Sequence, residues 1–194
     1  MIESVLTKKQ MTFKTKITIK SLISIAIVAL AVGLPQLVHL IAGATGGASW
    51  LPMYLPVLLG GCLLGTLWGL GVGVVSPIIS FLITLAAGNP MPTLERLPYM
   101  VVELAVFAII TGMFSKQIIK NDVFAFLAVI LAFVVGRATF LMTAAILQPV
   151  FGLTVQMVWT QIKTGLIAVA VQIVIVPIIV ILLKYLMIKR GFNE

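Results

Sequence analysis

The sequence predicts an all-α membrane protein of six transmembrane helices with both termini cytoplasmic, and three observations predict it. Of its 194 residues, 61% are hydrophobic and only 9% are charged, more apolar surface than a soluble domain of this size can hide. The apolar residues gather into six runs, at roughly 20–42, 52–65, 69–88, 97–115, 123–147 and 161–188, and a helix needs about 20 residues to cross the hydrocarbon core. The basic residues, finally, sort to one side of those runs. Residues 1–194 read as one integral membrane domain, with no soluble linker, low-complexity tail or internal repeat.

Each element can be justified in turn. Lys8, Lys9, Lys14, Lys16 and Lys20 precede the first run; they mimic the basic start of a signal peptide, but the run is long and further spans follow, so it is expected to be retained. Pro35 should kink this helix, and Gly43–Gly47 reads as a loop. The second run is short and contains Pro52, Pro56 and Gly60-Gly61, which predicts a broken or tilted helix covered by its neighbours. Without it the count would be five. Gly61, Gly65, Gly69 and Gly73 recur at every fourth position, the small-residue pattern that lets helix backbones approach closely. Pro77 and Pro177 should kink the third and sixth helices, and Asn89–Pro92 reads as a loop.

Placed on six spans, the five amino-terminal lysines, Lys116 and Lys120, and Lys184, Lys189 and Arg190 all fall on one side, ten of the 13 basic residues. The positive-inside rule makes that side cytoplasmic. Five spans would put the carboxyl-terminal basic cluster outside. The net charge of +8 therefore reports topology; no aromatic-interleaved basic patch points to nucleic acid.

Three ionisable residues, Glu103, Arg137 and Lys163, sit in or at the ends of spans, where such groups are expensive unless they face protein, water or a ligand. Arg137 lies 15 residues past Asp122, about 22 Å from the cytoplasmic edge at about 1.5 Å per residue. Glu103, entering from outside, should lie about 10 Å deep, with Lys163 at the outer edge. A polar pocket opening outward is the expectation. Glu103 shares a helical face with Tyr99 and Phe107, and either neutralises Arg137, contacts a ligand, or does both. The fork of donors on Arg137 suits carboxylate, phosphate or amide oxygens. Lys163 either lines the pocket or snorkels to the interface beside Trp159; Gln161, Gly165, Ala168 and Gln172 form the opposite face of the same helix. Trp50, Tyr54, Asn89, Tyr99 and Trp159 fall at outer helix ends, as a pocket rim or an interfacial belt. His39, the lone histidine, reads as interfacial. Cys62, the lone cysteine, reads as a packing residue.

The sequence contains no phosphate-binding loop, no HExxH, no GxSxG and no paired carboxylates at catalytic spacing. No enzymatic activity, cofactor or metal is expected. Nor is there a ladder of acidic residues for an ion relay.

The run Leu51-Pro52-Met53-Tyr54-Leu55-Pro56-Val57-Leu58-Leu59-Gly60-Gly61, continuing through Gly65, Gly69 and Gly73 to Ser76-Pro77, resembles the second and third helices of substrate-binding S components of energy-coupling factor (ECF) transporters. Gly136-Arg137 and the segment Gln172 through Pro177 are similar to the fifth and sixth helices of that family. The resemblance covers most of residues 20–188. It implies an S-component-like bundle that captures a vitamin and is coupled to a transmembrane T component and two cytosolic ATPases. Within the family the overall look is closest to cobalamin-type members; pantothenate is the alternative. In place of the AxxxA docking pattern often seen on the first helix, Ala26, Ala29 and Gly33 offer a looser small-residue face for the partner. A membrane-embedded lipid-modifying enzyme and a channel or assembly factor are the alternatives of other classes.

Overall fold

The computed structural model describes residues 1–2, 12–88 and 90–192. Among these the regular structure is helical throughout: α1 (Phe13–Trp50), α2 (Tyr54–Leu64), α3 (Thr66–Ala86), α4 (Leu97–Met113), α5 (Ser115–Lys120), α6 (Val123–Phe151), α7 (Val155–Thr164) and α8 (Leu166–Phe192). Among the described residues, four helices are long and apolar enough to cross a membrane: Phe13–Gly43 within α1, then α3, α6 and residues Leu166–Met187 of α8. The apolar helices α2 and α4 are shorter, at 11 and 17 residues.

Three boundaries differ from the sequence reading. Gly43–Gly47 is not an open loop: the chain breaks at Gly43 (φ 66°, ψ −169°) and resumes helically to Trp50, because a single glycine supplies the positive φ needed. The expected final span at roughly 161–188 is two helices. Thr154 caps α7 by accepting from the Met157 N–H (3.2 Å), and the chain turns at Gly165 before α8. Mixed polar and apolar residues in α7 dilute its hydropathy, which is why a run of apolar residues does not reveal it. The short helix α5 likewise lies hidden between two apolar runs.

The glycines set the spacing of the central helices. At Gly65 (φ 84°) the chain reverses, and a Cβ on Gly69 would stand 2.8 Å from the Gly61 Cα, so α2 and α3 meet backbone to backbone. Gly73 packs on the Leu104 carbonyl, Gly69 and Gly61 on that of Ala108, and Gly112 on Thr66. These pairs run in opposite senses along α3 and α4, which are therefore antiparallel and nearly in van der Waals contact along their length. Antiparallel pairing continues between α4 and α6 through Tyr99 with Phe140, Glu103 with Arg137 and Phe107 with Phe133.

This register gives the bundle two distinct ends. Leu51, Tyr54, Tyr99 and Gly165 lie toward one. At the other, Lys184 is buried, donating to the Ile118 carbonyl (3.0 Å) and to Asp122 Oδ1 (2.6 Å), while the Tyr185 hydroxyl donates to Asp122 Oδ2 (3.0 Å). The Ile27 side chain meets Gly60, so α1 runs antiparallel to α2 and Lys14, Lys16 and Lys20 lie toward the Asp122 end. Lys116 and Lys120 are on α5, at that end also.

Candidate functional site

Inside the bundle, at the end away from Asp122, three side chains form one hydrogen-bonded unit. The Tyr54 hydroxyl donates to Glu103 Oε2 (2.6 Å), and Arg137 Nη1 donates to Glu103 Oε1 (3.0 Å) and to the Tyr54 hydroxyl (3.3 Å). Glu103 is 0% exposed, and the Arg137 side chain 11%. The guanidinium also lies 5.2 Å from the Tyr54 ring centre, a cation–π contact strengthened by the dry surroundings.

The local sequence explains why these groups converge. Tyr99, Glu103 and Phe107 fall one turn apart on α4, all fully buried toward α6. Phe107 meets Tyr54 edge-on at 5.0 Å and Phe133 at 5.2 Å. A Cβ at position 136 would collide with the Phe107 ring, so the glycine before Arg137 lets α6 close over that ring and bring the guanidinium to Glu103. Both carboxylate oxygens are thereby satisfied. Two donors of Arg137, Nε and Nη2, are buried and find no acceptor among the described residues.

Beside this unit is a cavity of about 310 Å³, within the usual range for a small-molecule pocket. Its walls come from late α1 (Pro35, His39), the connection Leu51–Met53, Tyr54 at the start of α2, Ser80 of α3, the loop Pro90–Thr93, and Arg96, Met100, Phe140 and Gln161. The lining is chiefly apolar. The loop is fastened to α3 by Ser80 and Thr84: both hydroxyls donate to the Met91 carbonyl (2.9 and 3.1 Å), and the Met91 N–H donates to the Thr84 hydroxyl (2.7 Å). A more open, more polar groove of about 500 Å³ adjoins, lined by Arg96, Thr154 and residues of α7 including Gln156, Thr160, Gln161 and Thr164. Arg96 and Gln161 belong to both.

Of the residues singled out from the sequence, Arg137, Glu103 and Tyr54 meet, and Tyr54 also faces the cavity. Tyr99 is fully buried against Phe140 (6.4 Å) and Phe151 (6.1 Å), one turn beyond Glu103, and does not line the cavity. Lys163 is exposed, its ammonium 5.6 Å from the Trp159 ring, and it stands apart from the Arg137–Glu103 pair. Trp50 and Trp159 are half-exposed. Asn89 lies outside the described residues. Ala26 and Ala29 are exposed, and nothing stands within 4 Å of the Cβ position of Gly33, so this small face of α1 is uncovered.

Sequence reasoning missed several wall residues. His39, read as interfacial, lines the cavity; so do Met53, Met91, Met100 and the loop prolines, which carry no chemical signature of their own. The Gln161–Gln172 face turns inward: Gly165, Ala168 and Gln172 are buried. The Gln172 amide donates to the Trp50 and Leu51 carbonyls (3.2 and 3.1 Å). Those bonds hold the backbone at Leu51, whose φ of 48° is the left-handed conformation a non-glycine residue seldom adopts.

The chain matches no family model, and no curated protein or solved structure matches it.

Proposed function

We propose that this protein is the ligand-capturing S component of an ECF-type importer, a six-span protein of a prokaryotic plasma membrane with both termini cytoplasmic. The observation that carries the reading is the cavity at one end of the bundle, floored by Tyr54 and backed by the buried Arg137–Glu103 pair. The resemblance of the Leu51–Pro77 region to S components supports it. So does the distribution of charge: Lys14, Lys16, Lys20, Lys116, Lys120 and Lys184 lie toward the end opposite the cavity, which the positive-inside rule makes cytoplasmic. The cavity then opens outward, as capture of a vitamin from outside requires. The uncovered Ala26, Ala29 and Gly33 face of α1 is a surface on which a T component can pack closely, with two cytosolic ATPases supplying the energy.

Cobalamin is the first choice of ligand. Its macrocycle exceeds the enclosed cavity, so it would seat one edge there and extend over the polar groove of α7. Its rim of amides suits the donors at the cavity end. A smaller vitamin would fit the enclosed space alone.

The test is reconstitution. The purified chain alone should bind a vitamin tightly and show no concentrative uptake, and adding the T component and ATPases should produce uptake that stops when ATP is withheld. Uptake by the lone chain driven by a proton or sodium gradient would remove the energy-coupling reading. Uptake of a different vitamin by the assembly would remove only cobalamin.

A further inference from the structure

We propose that the Nε–Nη2 edge of Arg137 is a two-point binding site for an uncharged acceptor oxygen, such as an amide carbonyl or a hydroxyl, and that it rejects carboxylates. The inference deepens the ligand-capture reading and rests on it for the ligand's route through the cavity.

The geometry divides the guanidinium into two halves. Nη1 is committed to Glu103 (3.0 Å) and Tyr54 (3.3 Å). Nε and Nη2 carry parallel N–H bonds along the other edge, the one that grips two lone pairs at once, and both are buried with no acceptor among the described residues. Leaving such donors unmet is costly. Gly165 packs beside this edge: a Cβ there would stand 3.5 Å from Nη2, in van der Waals contact, and 2.8 Å from Leu51 Cδ1, where it would collide. Leu51 also lines the cavity, as does Tyr54, to which Nη1 bonds. Leu51 and the free edge thus both lie beside Gly165, and Leu51 and Tyr54 connect this edge to the cavity wall.

Charge decides the class of ligand. Arg137 is already neutralised by Glu103, Lys163 is exposed and turned to Trp159, and Arg96, the cation on the cavity wall, precedes Glu103 by seven residues, about 10 Å along α4. A carboxylate docking on the free edge would bring a second anion beside a fully buried one, with one guanidinium to share between them, and in a dry interior that repulsion is strong. A neutral acceptor satisfies the same two donors without adding charge.

The test reads Arg137 directly. The chain has three arginines, Arg96, Arg137 and Arg190, so ¹⁵N-arginine labelling in nanodiscs gives few Nε–Hε resonances, and the signal lost in Arg137→Lys identifies the one of interest. Titration with N-methylacetamide should shift it saturably, and acetate at equal concentration should bind at least tenfold more weakly. Gly165→Ala should weaken the N-methylacetamide response about tenfold or more, while Leu51→Ala, which opens the wall, should strengthen it. No saturable shift with N-methylacetamide, tighter binding of acetate, or indifference to both variants would each overturn the proposal. Cyanocobalamin binding is measured alongside on the same samples. Cyanocobalamin bound with the resonance unmoved refutes this site and leaves capture standing; an N-methylacetamide response with no vitamin bound does the reverse.

Discussion

Breaking the Arg137–Glu103 pair from one side should cost far more than removing it whole. Glu103 has no exposure, and its two oxygens are held by Arg137 Nη1 at 3.0 Å and the Tyr54 hydroxyl at 2.6 Å. Arg137→Met leaves a buried carboxylate on a single neutral donor, a change that typically costs about 3–5 kcal/mol. Glu103→Gln should be milder, because the amide oxygen still accepts one hydrogen bond and the guanidinium retains slight contact with solvent. In the double variant Arg137→Met/Glu103→Gln no charge remains buried, and the loss should fall to that of one or two hydrogen bonds, about 1–3 kcal/mol. The coupling between the sites should therefore approach about 3 kcal/mol, the upper end for contacting residues. Reversible unfolding in mixed micelles, followed by tryptophan fluorescence, measures all four proteins on one scale. Additivity of the two single changes to within about 0.5 kcal/mol would show that the pair is not energetically coupled and refute the reasoning.

Other expectations follow from the same contacts. Gly73→Ala, whose Cβ would press on the Leu104 carbonyl at 2.6 Å, should lose about 1–3 kcal/mol, whereas Gly71→Ala, with nothing within 4 Å, should be neutral or slightly stabilising in the same assay. Thr84→Val removes both bonds to Met91 and should raise the ligand dissociation rate more than it lowers stability; equal effects on both would place the loop outside the site. At the opposite end, Lys184 first and Tyr185 second hold the Asp122 carboxyl below its ordinary pKa. Its contribution is thus present above about pH 4 and lost as pH falls through the lowered value. With a third of the side chain exposed, it should amount to under about 1 kcal/mol, and Asp122→Asn should match wild type in acid and fall below it at neutral pH. For topology, single cysteines at Glu95 and Lys116 in a Cys62→Ser background should label from outside and inside respectively; the reverse pattern would invert the proposed orientation.

Much of this architecture was legible because long apolar runs leave little choice of secondary structure, and glycines at fourfold spacing leave little choice of packing. Glu103 and Arg137 stood out for the same reason: charge in such surroundings has to be accounted for. Tyr54 was read as a rim residue, since its sequence position shows only that it lies at a helix end, not that its hydroxyl turns inward. Lys163 could not be decided from sequence because both faces of its helix offered a plausible interior; the inward face is the one with Gly165, Ala168 and Gln172, which are small or can bond to a backbone carbonyl. The cavity walls were illegible. Methionines and prolines around a pocket look like the rest of an apolar chain, and only the loop held by Ser80 and Thr84 brings them together.

The dependence of the site on the glycines runs in one direction. Gly61, Gly69, Gly73 and Gly112 allow α4 to lie against the backbones of α2 and α3, and that closeness removes Glu103 from water. A carboxylate so enclosed needs a cation and a second donor, and the antiparallel register of α4 and α6 presents Arg137 for the first while the start of α2 presents Tyr54 for the second. Gly136 lets Phe107 pass beneath, so the arginine reaches the carboxylate with one nitrogen and keeps its other edge turned toward Gly165 and Leu51. An alanine at 136 would push α6 outward and let the guanidinium slide along the carboxylate. The same substitution that strains the core should therefore also close the free edge, so that stability and ligand response fall together in Gly136→Ala but separately in Gly165→Ala.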